Sequence, residues 1–404
     1  MAGVRTYAGL MLAGIVVVAA ADRPRGQQAQ FRATTDFVFR DVRVFDGRGR
    51  VVMDLGREDF RVVEDGLEQK IEWFVRSAGN QIITDEQPKR AQTEGLILPA
   101  VKPAAEGDGR ILVIFIDDLH LQARDSPGIQ NVLRLLRDEI VKPNDRIAIV
   151  SSGYSSIEQN LTLDPDHARL DAAIKKVMGS APTPADVIAA ASTAEGPAGL
   201  RYNAHVAFGT AYSVLEQLEK LPGRRKAFFY VSNGYDFNPF ESSRLKAEMD
   251  RSSVPGQRDS TPQVNPFESR GTQFADSDLA RELLELIRAA NRANTTFYPI
   301  DPRGLIGGPD IDVDLSPTEW WKFVSSGINS LQVLASETMG RAVVNTNGFA
   351  QAFRRIDAEL SDYYVLGYQS TNRDPLRRTR QVTITVSRPG LRLEYQTKYS
   401  LRPR

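Results

Sequence analysis

Cysteine is absent from the 404 residues of the chain. Disulfides, thiolate metal sites, cysteine nucleophiles and lipid attachment through cysteine are therefore excluded. Histidine is scarce, with only His120, His167 and His205. The formal net charge is zero, because 51 basic residues balance 51 acidic ones. That balance gives no electrostatic reason to expect a nucleic acid or an anionic membrane as the main partner.

Several catalytic motifs are missing from the sequence as well. It contains no G-x-x-x-x-G-K-[ST] phosphate loop, no G-x-G-x-x-G dinucleotide turn, no G-x-S-x-G nucleophile elbow and no H-E-x-x-H zinc motif. A serine triad would need one of the three histidines as its base, and no marked serine accompanies any of them in sequence. These absences favour a binding protein over an enzyme.

The first 29 residues have the layout of a signal peptide and leader. Arg5 precedes an apolar run from Tyr7 to Ala21 that ends in three alanines, which is the order of charged, apolar and small residues in a secretory signal. A run of about 15 residues is short for a membrane-spanning helix, which needs about 20. A retained N-terminal anchor is the alternative. No other segment reaches membrane length, so we expect a secreted or periplasmic protein with no membrane span in its mature chain.

Two β-rich segments flank the central part of the chain. Residues 30–78 alternate apolar and polar side chains, as in "DFVFRDVRVFD", and predict a small β-domain. Residues 79–109 are polar and proline-containing, which predicts a linker. Residues 362–404 are again β-rich and predict a C-terminal β-segment, which either extends the central sheet or packs beside the N-terminal β-domain.

Residues 110–361 have a different pattern. Apolar strands such as "ILVIFID" and "KAFFYVS" alternate with amphipathic helices. This alternation predicts an α/β fold with a doubly wound, mostly parallel sheet that helices cover on both faces. Two polar stretches, residues 179–199 and 237–275, interrupt the alternation and are predicted to be low-order inserts.

The stretch "FIDDLHL" joins the first of these strands to the loop that follows it. Asp117 and Asp118 come directly after the apolar run, and His120 lies two residues further on. Because parallel sheets carry their functional loops at the carboxyl ends of the strands, this stretch is the first candidate for a site.

Further patterns accompany that aspartate at the strand end: "VRVFDGRGRVVMDLGREDFRVVEDGLEQKI", "GRRKAFFYVSNGYD", "ANRANTTFYPIDPRGL", "LQVLASETMGRAVVN" and "SDYYVLGYQS". Together they resemble the von Willebrand factor type A (VWA) domain, and more narrowly the secreted VWA-related proteins of Acidobacteria and similar bacteria. The resemblance covers roughly residues 31–400. It implies a Rossmann-like VWA domain with flanking N-terminal and C-terminal β-segments.

VWA domains normally end their first strand in Asp-x-Ser-x-Ser. These side chains, a threonine and a further aspartate hold a divalent cation, usually magnesium, through oxygen ligands. Asp117 matches the first aspartate of that motif, but leucines occupy both serine positions. The threonine position falls near His205, and Asn233 replaces the last aspartate. The resemblance therefore implies a degenerate metal-ion-dependent adhesion site.

Three interpretations of these residues remain open. In a structural role, Asp117 and Asp118 accept hydrogen bonds from loop amides and from a helix N-terminus, and His120 is an ordinary polar loop residue. In a rebuilt metal site, His205 and Asn233 join these three residues around zinc or another transition ion. In the third interpretation a weak magnesium site persists. No cofactor is predicted beyond such a cation.

The predicted function is binding, and not catalysis, through the carboxyl edge of the sheet. The expected partner is a protein or a cell-envelope component. One alternative is a metal-dependent hydrolase that uses a rebuilt Asp/His site, and it requires the two histidines to converge on Asp117 in a concave site. The other is a scaffold in which the β-domains bind. The sequence does not predict an oligomeric state.

Overall fold

The computed structural model describes residues 37–79, 81–84, 109–165, 167–190, 197–221, 225–252, 266–309, 315–372, 374 and 376–401. The predicted signal peptide, residues 1–29, and most of the predicted linker, residues 79–109, lie outside these ranges. None of the helices within them is long and apolar enough to cross a membrane.

The described strands form one parallel and two antiparallel sheets. They are β1 (Phe37–Phe45), β2 (Phe60–Glu64), β3 (Leu67–Gln69), β4 (Ile71–Ala78), β5 (Gln81–Thr84), β6 (Ile111–Ile116), β7 (Arg146–Ser151), β8 (Lys226–Val231), β9 (Thr295–Ile300), β10 (Tyr363–Gln369), β11 (Thr379–Val386), β12 (Arg392–Tyr395) and β13 (Lys398–Ser400). The described helices are α1 (Ser126–Ile140), α2 (Ala168–Lys176), α3 (Pro184–Ala190), α4 (Pro197–Glu219), α5 (Glu241–Ser252), α6 (Pro266–Arg292), α7 (Pro317–Ser336) and α8 (Phe349–Ser361).

The parallel sheet has the strand order β7-β6-β8-β9. Every residue of β6, β8 and β9 is buried, because helices cover both faces: α4, α6 and α7 on one, α1, α2 and α8 on the other. A single parallel bridge from Ile300 to Val343 continues the sheet past β9. The prediction of an α/β fold with a mostly parallel sheet is confirmed. Since the chain runs from β6 outward to β7 and then back across to β8, the switch point of the sheet lies between β6 and β8.

The two β-rich ends of the chain pair with each other. β1 and β4, from the N-terminal side, lie on either side of β10 in a five-stranded antiparallel sheet with the order β12-β1-β10-β4-β5. β2 pairs with β11 in a second antiparallel sheet, β13-β11-β2-β3. Apolar side chains from both sheets form one core, including Val42, Phe74, Tyr364 and Ile384. The two segments thus build one β-sandwich from both ends of the described chain.

The two predicted inserts contain helices. α3 lies within residues 179–199, and α5 and the first turns of α6 lie within residues 237–275. Val187 of α3 and Phe240, just before α5, pack with Trp320 and Val324 of α7 in a small cluster of their own. Glu319 fixes the start of α5, because its carboxylate accepts the backbone N–H groups of Ser242 and Ser243 at 3.0 and 3.1 Å. We call α3, α5 and the start of α7 the cap.

Candidate functional site

Asp117 is fully buried at the end of β6, and its carboxylate accepts hydrogen bonds from side chains of the loops that follow β6, β7 and β8, with Ser152 of the β7 loop at 3.4 Å. Its Oδ1 lies 2.8 Å from Nδ1 of His120. Its Oδ2 accepts the hydroxyls of Ser232 at 2.8 Å and Tyr235 at 2.7 Å. Burial, together with the charge of Asp117, raises the pKa of Tyr235 well above its usual range. Tyr235 therefore stays protonated and remains a donor to the carboxylate.

Asp118 is also fully buried, and it orders the loop after β7. Its Oδ1 accepts the hydroxyl of Ser152 at 2.7 Å and the N–H groups of Gly153 and Tyr154 at 3.2 Å. Its Oδ2 accepts the N–H of Ser155 at 2.5 Å. Four donors thus surround this carboxylate, as the structural interpretation predicts for loop amides. The helix N-terminus that it also named takes no part in these bonds.

His120 is more than a polar loop residue. It is 9% exposed, and its ring packs edge-on against Tyr235 with the ring centroids 4.6 Å apart. The contact between its Nδ1 and Asp117 orients the imidazole as in an Asp–His dyad. Its Nε2 has no hydrogen-bond partner among the described residues, so this nitrogen can donate to or accept from a ligand. No described serine or threonine is paired with it as a nucleophile.

His205 lies elsewhere on the fold, on α4. Its side chain is 64% exposed and its Nδ1 pairs with Glu282 of α6 at 2.8 Å. No contact joins it to Asp117 or His120 within the described parts of the chain. The structure therefore brings Asp117, Asp118 and His120 together and leaves His205 outside the group. Within those same parts, no set of three or more His, Asp and Glu side chains is arranged to hold a metal ion.

Asn233 follows β8, directly after the serine that binds Asp117. Asn233 is 9% exposed, and its buried Oδ1 has no hydrogen-bond partner. The next residue, Gly234, has a φ of +79°, and a Cβ there would lie 2.1 Å from the backbone oxygen of Gly327 on α7. This close approach of α7 fixes the loop that carries Asn233.

A pocket of about 250 Å³ lies beside these residues, between the carboxyl edge of the parallel sheet and the cap. His120, Asn233 and Arg303 line its polar side. Phe237, Phe240, Trp320 and Phe323 line its apolar side. The sheet edge and the cap thus combine an oriented polar side with an aromatic wall, which is the usual composition of a ligand site.

Arg303, which sequence reasoning missed, follows β9 on the polar side. Its Nε and Nη2 form a two-pronged pair with the buried Asp301 at 2.9 and 2.7 Å, and Nη2 also donates to the backbone oxygen of Asn233 at 3.2 Å. Ser152, Ser232 and Tyr235 were missed as well. The available signal was their common position, since each follows a parallel strand, and such strand ends meet at one edge.

No protein-family model matches the chain, and no curated protein matches it at a significant level.

Proposed function

We propose that this chain is an exported, VWA-like binding protein that recognises a protein or cell-envelope partner through the carboxyl edge of its parallel sheet. The proposal combines the sequence resemblance with the parallel strand order β7-β6-β8-β9. The observation that carries it is the pocket at the switch point between β6 and β8, which is where open α/β sheets bind their ligands.

Recognition in this proposal works without a resident cation. A divalent cation of the magnesium type needs free carboxylate oxygens, whereas Asp117 accepts from four side chains and Asp118 from four donors. Leu121, at the second serine position of the VWA motif, is fully buried in the core. The arrangement of donors around these carboxylates therefore does not fit the metal.

The competing hydrolase needs two histidines beside Asp117. His205 pairs instead with Glu282, so the hydrolase lacks one of its proposed ligands. No specific observation favours the scaffold alternative over a pocket that carries oriented polar groups.

A thermal melt after chelation tests the cation part of the proposal. We expect magnesium, calcium, manganese and zinc each to leave the midpoint unchanged. A cation bound to the native state at 100 times its Kd would add about 2.7 kcal/mol to the free energy of unfolding. A rise with one ion that disappears in Asp117→Ala would refute cation-free recognition and restore the metal site.

The partner part is tested by filling the pocket. Ala181 lines the pocket, and Ala185 lies on the exposed side of α3 outside it. Immobilised Ala181→Trp should lose the envelope proteins or glycans that the parent chain retains, whereas Ala185→Trp should retain them. Equal retention by the two variants, with equal melting midpoints, would place recognition outside the pocket.

A further inference from the structure

Four polar groups that line the pocket have unused hydrogen-bonding capacity. They have no partner among the described residues, and they are Nε2 of His120, Oε1 of Gln122, the side-chain amide of Asn233 and Nη1 of Arg303. Oδ1 of Asn233 and Oε1 of Gln122 are also buried, and buried polar groups are nearly always paired. These two unpaired oxygens at a cavity therefore point to a ligand that donates to them.

Arg303 offers half of its guanidinium fork. Asp301 takes Nε and Nη2, which holds the group in one plane, and only 15% of the side chain is exposed. Nη1, which carries two N–H donors, has no partner among the described residues. A charged nitrogen held in this way suits a carboxylate, because its N–H groups form charge-assisted hydrogen bonds with an anionic oxygen.

Asn233 offers an amide next to that arginine. Arg303 donates to the backbone oxygen of Asn233, so its guanidinium group is held against the loop that carries Asn233. The unpartnered amide can donate to and accept from a peptide group, since it carries an N–H₂ and a carbonyl oxygen. A ligand that uses both residues has a carboxylate and an amide close together.

The aromatic side of the pocket, opposite these polar groups, favours an apolar part of the ligand. Phe240 and Trp320 are buried, and Phe323 packs against both with ring centroids 4.8 and 5.9 Å away. Nε1 of Trp320 donates to the backbone oxygen of Gly307 at 2.7 Å, which fixes the ring. About 250 Å³ accommodates one apolar side chain with its main-chain atoms.

We propose that the pocket binds the C-terminal residue of a partner polypeptide. The terminal carboxylate pairs with Arg303, the last peptide group pairs with the amide of Asn233, and the apolar terminal side chain lies against Phe240 and Trp320. This inference rests on the proposed function, and it names the part of the partner that the pocket recognises.

Two features of the pocket favour a chain end over a free anion. Arg303 offers one nitrogen to an anion, Arg124 pairs with Asp125 on the same lining, and most of the remaining lining is apolar. Asp236 also lines the pocket and would repel a second negative charge. Burial raises the pKa of Asp236, which weakens that repulsion, and its Oδ1 accepts the N–H of Asn238 at 3.1 Å. A peptide end brings one carboxylate, a donor N–H and an apolar side chain.

Fluorescence polarisation with N-terminally labelled hexapeptides tests the inference. The panel ends in phenylalanine, leucine, alanine or aspartate, each made as the free acid and as the C-terminal amide. We expect the free acids with apolar ends to bind and their amides to bind at least about tenfold more weakly, because an amide removes the charge-assisted bond to Arg303. Free L-phenylalanine, used as a competitor, should displace the peptides only weakly.

Variants assign the effect to the residues. Arg303→Lys keeps the charge but loses the two-pronged pair with Asp301 that orients Nη1, so it should weaken binding about tenfold. Arg388→Lys is the control, because Arg388 also pairs with an aspartate, Asp54, through Nη1 alone and in the β-sandwich outside the pocket, and it should bind like the parent chain. Asn233→Ala loses no hydrogen bond of its side chain, so it should fold normally and bind more weakly.

The possible failures are distinguishable. If acids and amides bind equally, or if Asn233→Ala and Arg303→Lys bind like the parent, the carboxylate assignment is wrong. If no peptide of the panel binds while Ala181→Trp still abolishes retention of envelope partners, the chain-end inference fails and the proposed function stands. If Ala181→Trp changes nothing, the proposed function fails. Tight binding of free L-phenylalanine without peptide binding would make the pocket a small-molecule site.

Discussion

Arg110 and Arg303 lie at opposite ends of the parallel sheet. Arg110 directly precedes β6 and uses its whole guanidinium group. Nε and Nη2 pair with Asp145 at 3.1 and 2.7 Å, Nη1 pairs with Asp357 at 2.8 Å, and Nη2 also donates to the backbone oxygen of Ile140. Arg303 follows β9 and leaves Nη1 without a partner among the described residues.

The two ends of β8 show the same contrast. At its amino end, Lys226 is buried and its Nζ donates to the backbone oxygen of Ala293 at 2.7 Å. At its carboxyl end, the Oδ1 of Asn233 is buried and unpartnered. At the amino end of the sheet, Arg110 and Lys226 bind groups of the fold itself, although Nε of Arg225 is buried there without a partner. At the carboxyl end, the unpartnered groups line a pocket, and we infer that they serve a ligand.

The largest expected change in the free energy of unfolding comes from a substitution at the amino end of the parallel sheet. Arg110→Gln leaves the carboxylate of Asp145, which is 1% exposed, without its charged partner. Breaking a buried ion pair from one side costs about 3 to 5 kcal/mol, so the free energy of unfolding should fall by about that much in urea titrations. Arg354→Gln is the control, since the pair of Arg354 with Glu139 is on the surface, and it should cost under about 1 kcal/mol. Equal losses in the two variants would remove the contrast between buried and exposed arginines.

The buried Lys226 at the amino end of β8 should make the free energy of unfolding depend on pH. Burial lowers its pKa from 10.5 to about 8. Between these values the unfolded chain holds a proton on Lys226 that the folded chain has released, so the stability of the fold rises with pH there. The gain relative to Lys226→Met should reach about 2 to 3 kcal/mol, measured by urea unfolding from about pH 7 to about pH 10.

The difference between parent and variant is the quantity to follow in that series. Burial also raises the pKa of Tyr235 and Tyr230, and those groups lower stability above about pH 10 in both proteins. Parallel stability curves for the parent and Lys226→Met would show that Lys226 is hydrated in the native state.

The sequence is most informative about the parallel sheet. Strands buried on both faces must be continuously apolar, and "ILVIFI" and "KAFFYV" appear in the structure as β6 and β8. The first helix of the second insert was not predictable in this way. α5, "ESSRLKAEMDRS", is mostly polar, and the residue that fixes its start, Glu319, lies more than 70 positions further along the chain. The formation of α5 depends on its contact with Glu319, which the local sequence pattern does not predict.

The residues of the candidate site also differ in how far the local sequence predicts them. The pair of Asp117 and His120 is local, three residues apart after one strand, and the sequence marks it. Arg303, Ser232 and Tyr235 reach the site from two other strand ends, and their position after a strand is the only signal that the sequence gives for them. His205 was predicted near the site from the resemblance to VWA domains, and this prediction was wrong. Its position on α4 directs the side chain to Glu282 instead.

The smallest expected effect compares two neighbours at the carboxyl end of β8. Ser232→Ala removes a donor to Asp117 and an acceptor for the N–H of Gly234, at 2.8 and 3.1 Å, so it should cost about 1 to 3 kcal/mol. Asn233→Ala removes a buried oxygen that has no partner, so it should change stability by less than about 0.5 kcal/mol or raise it slightly. Urea titrations of the two variants at one pH provide the measurement. A loss in Asn233→Ala as large as that in Ser232→Ala would mean that Asn233 supports the fold, and its amide would no longer count as free for a ligand.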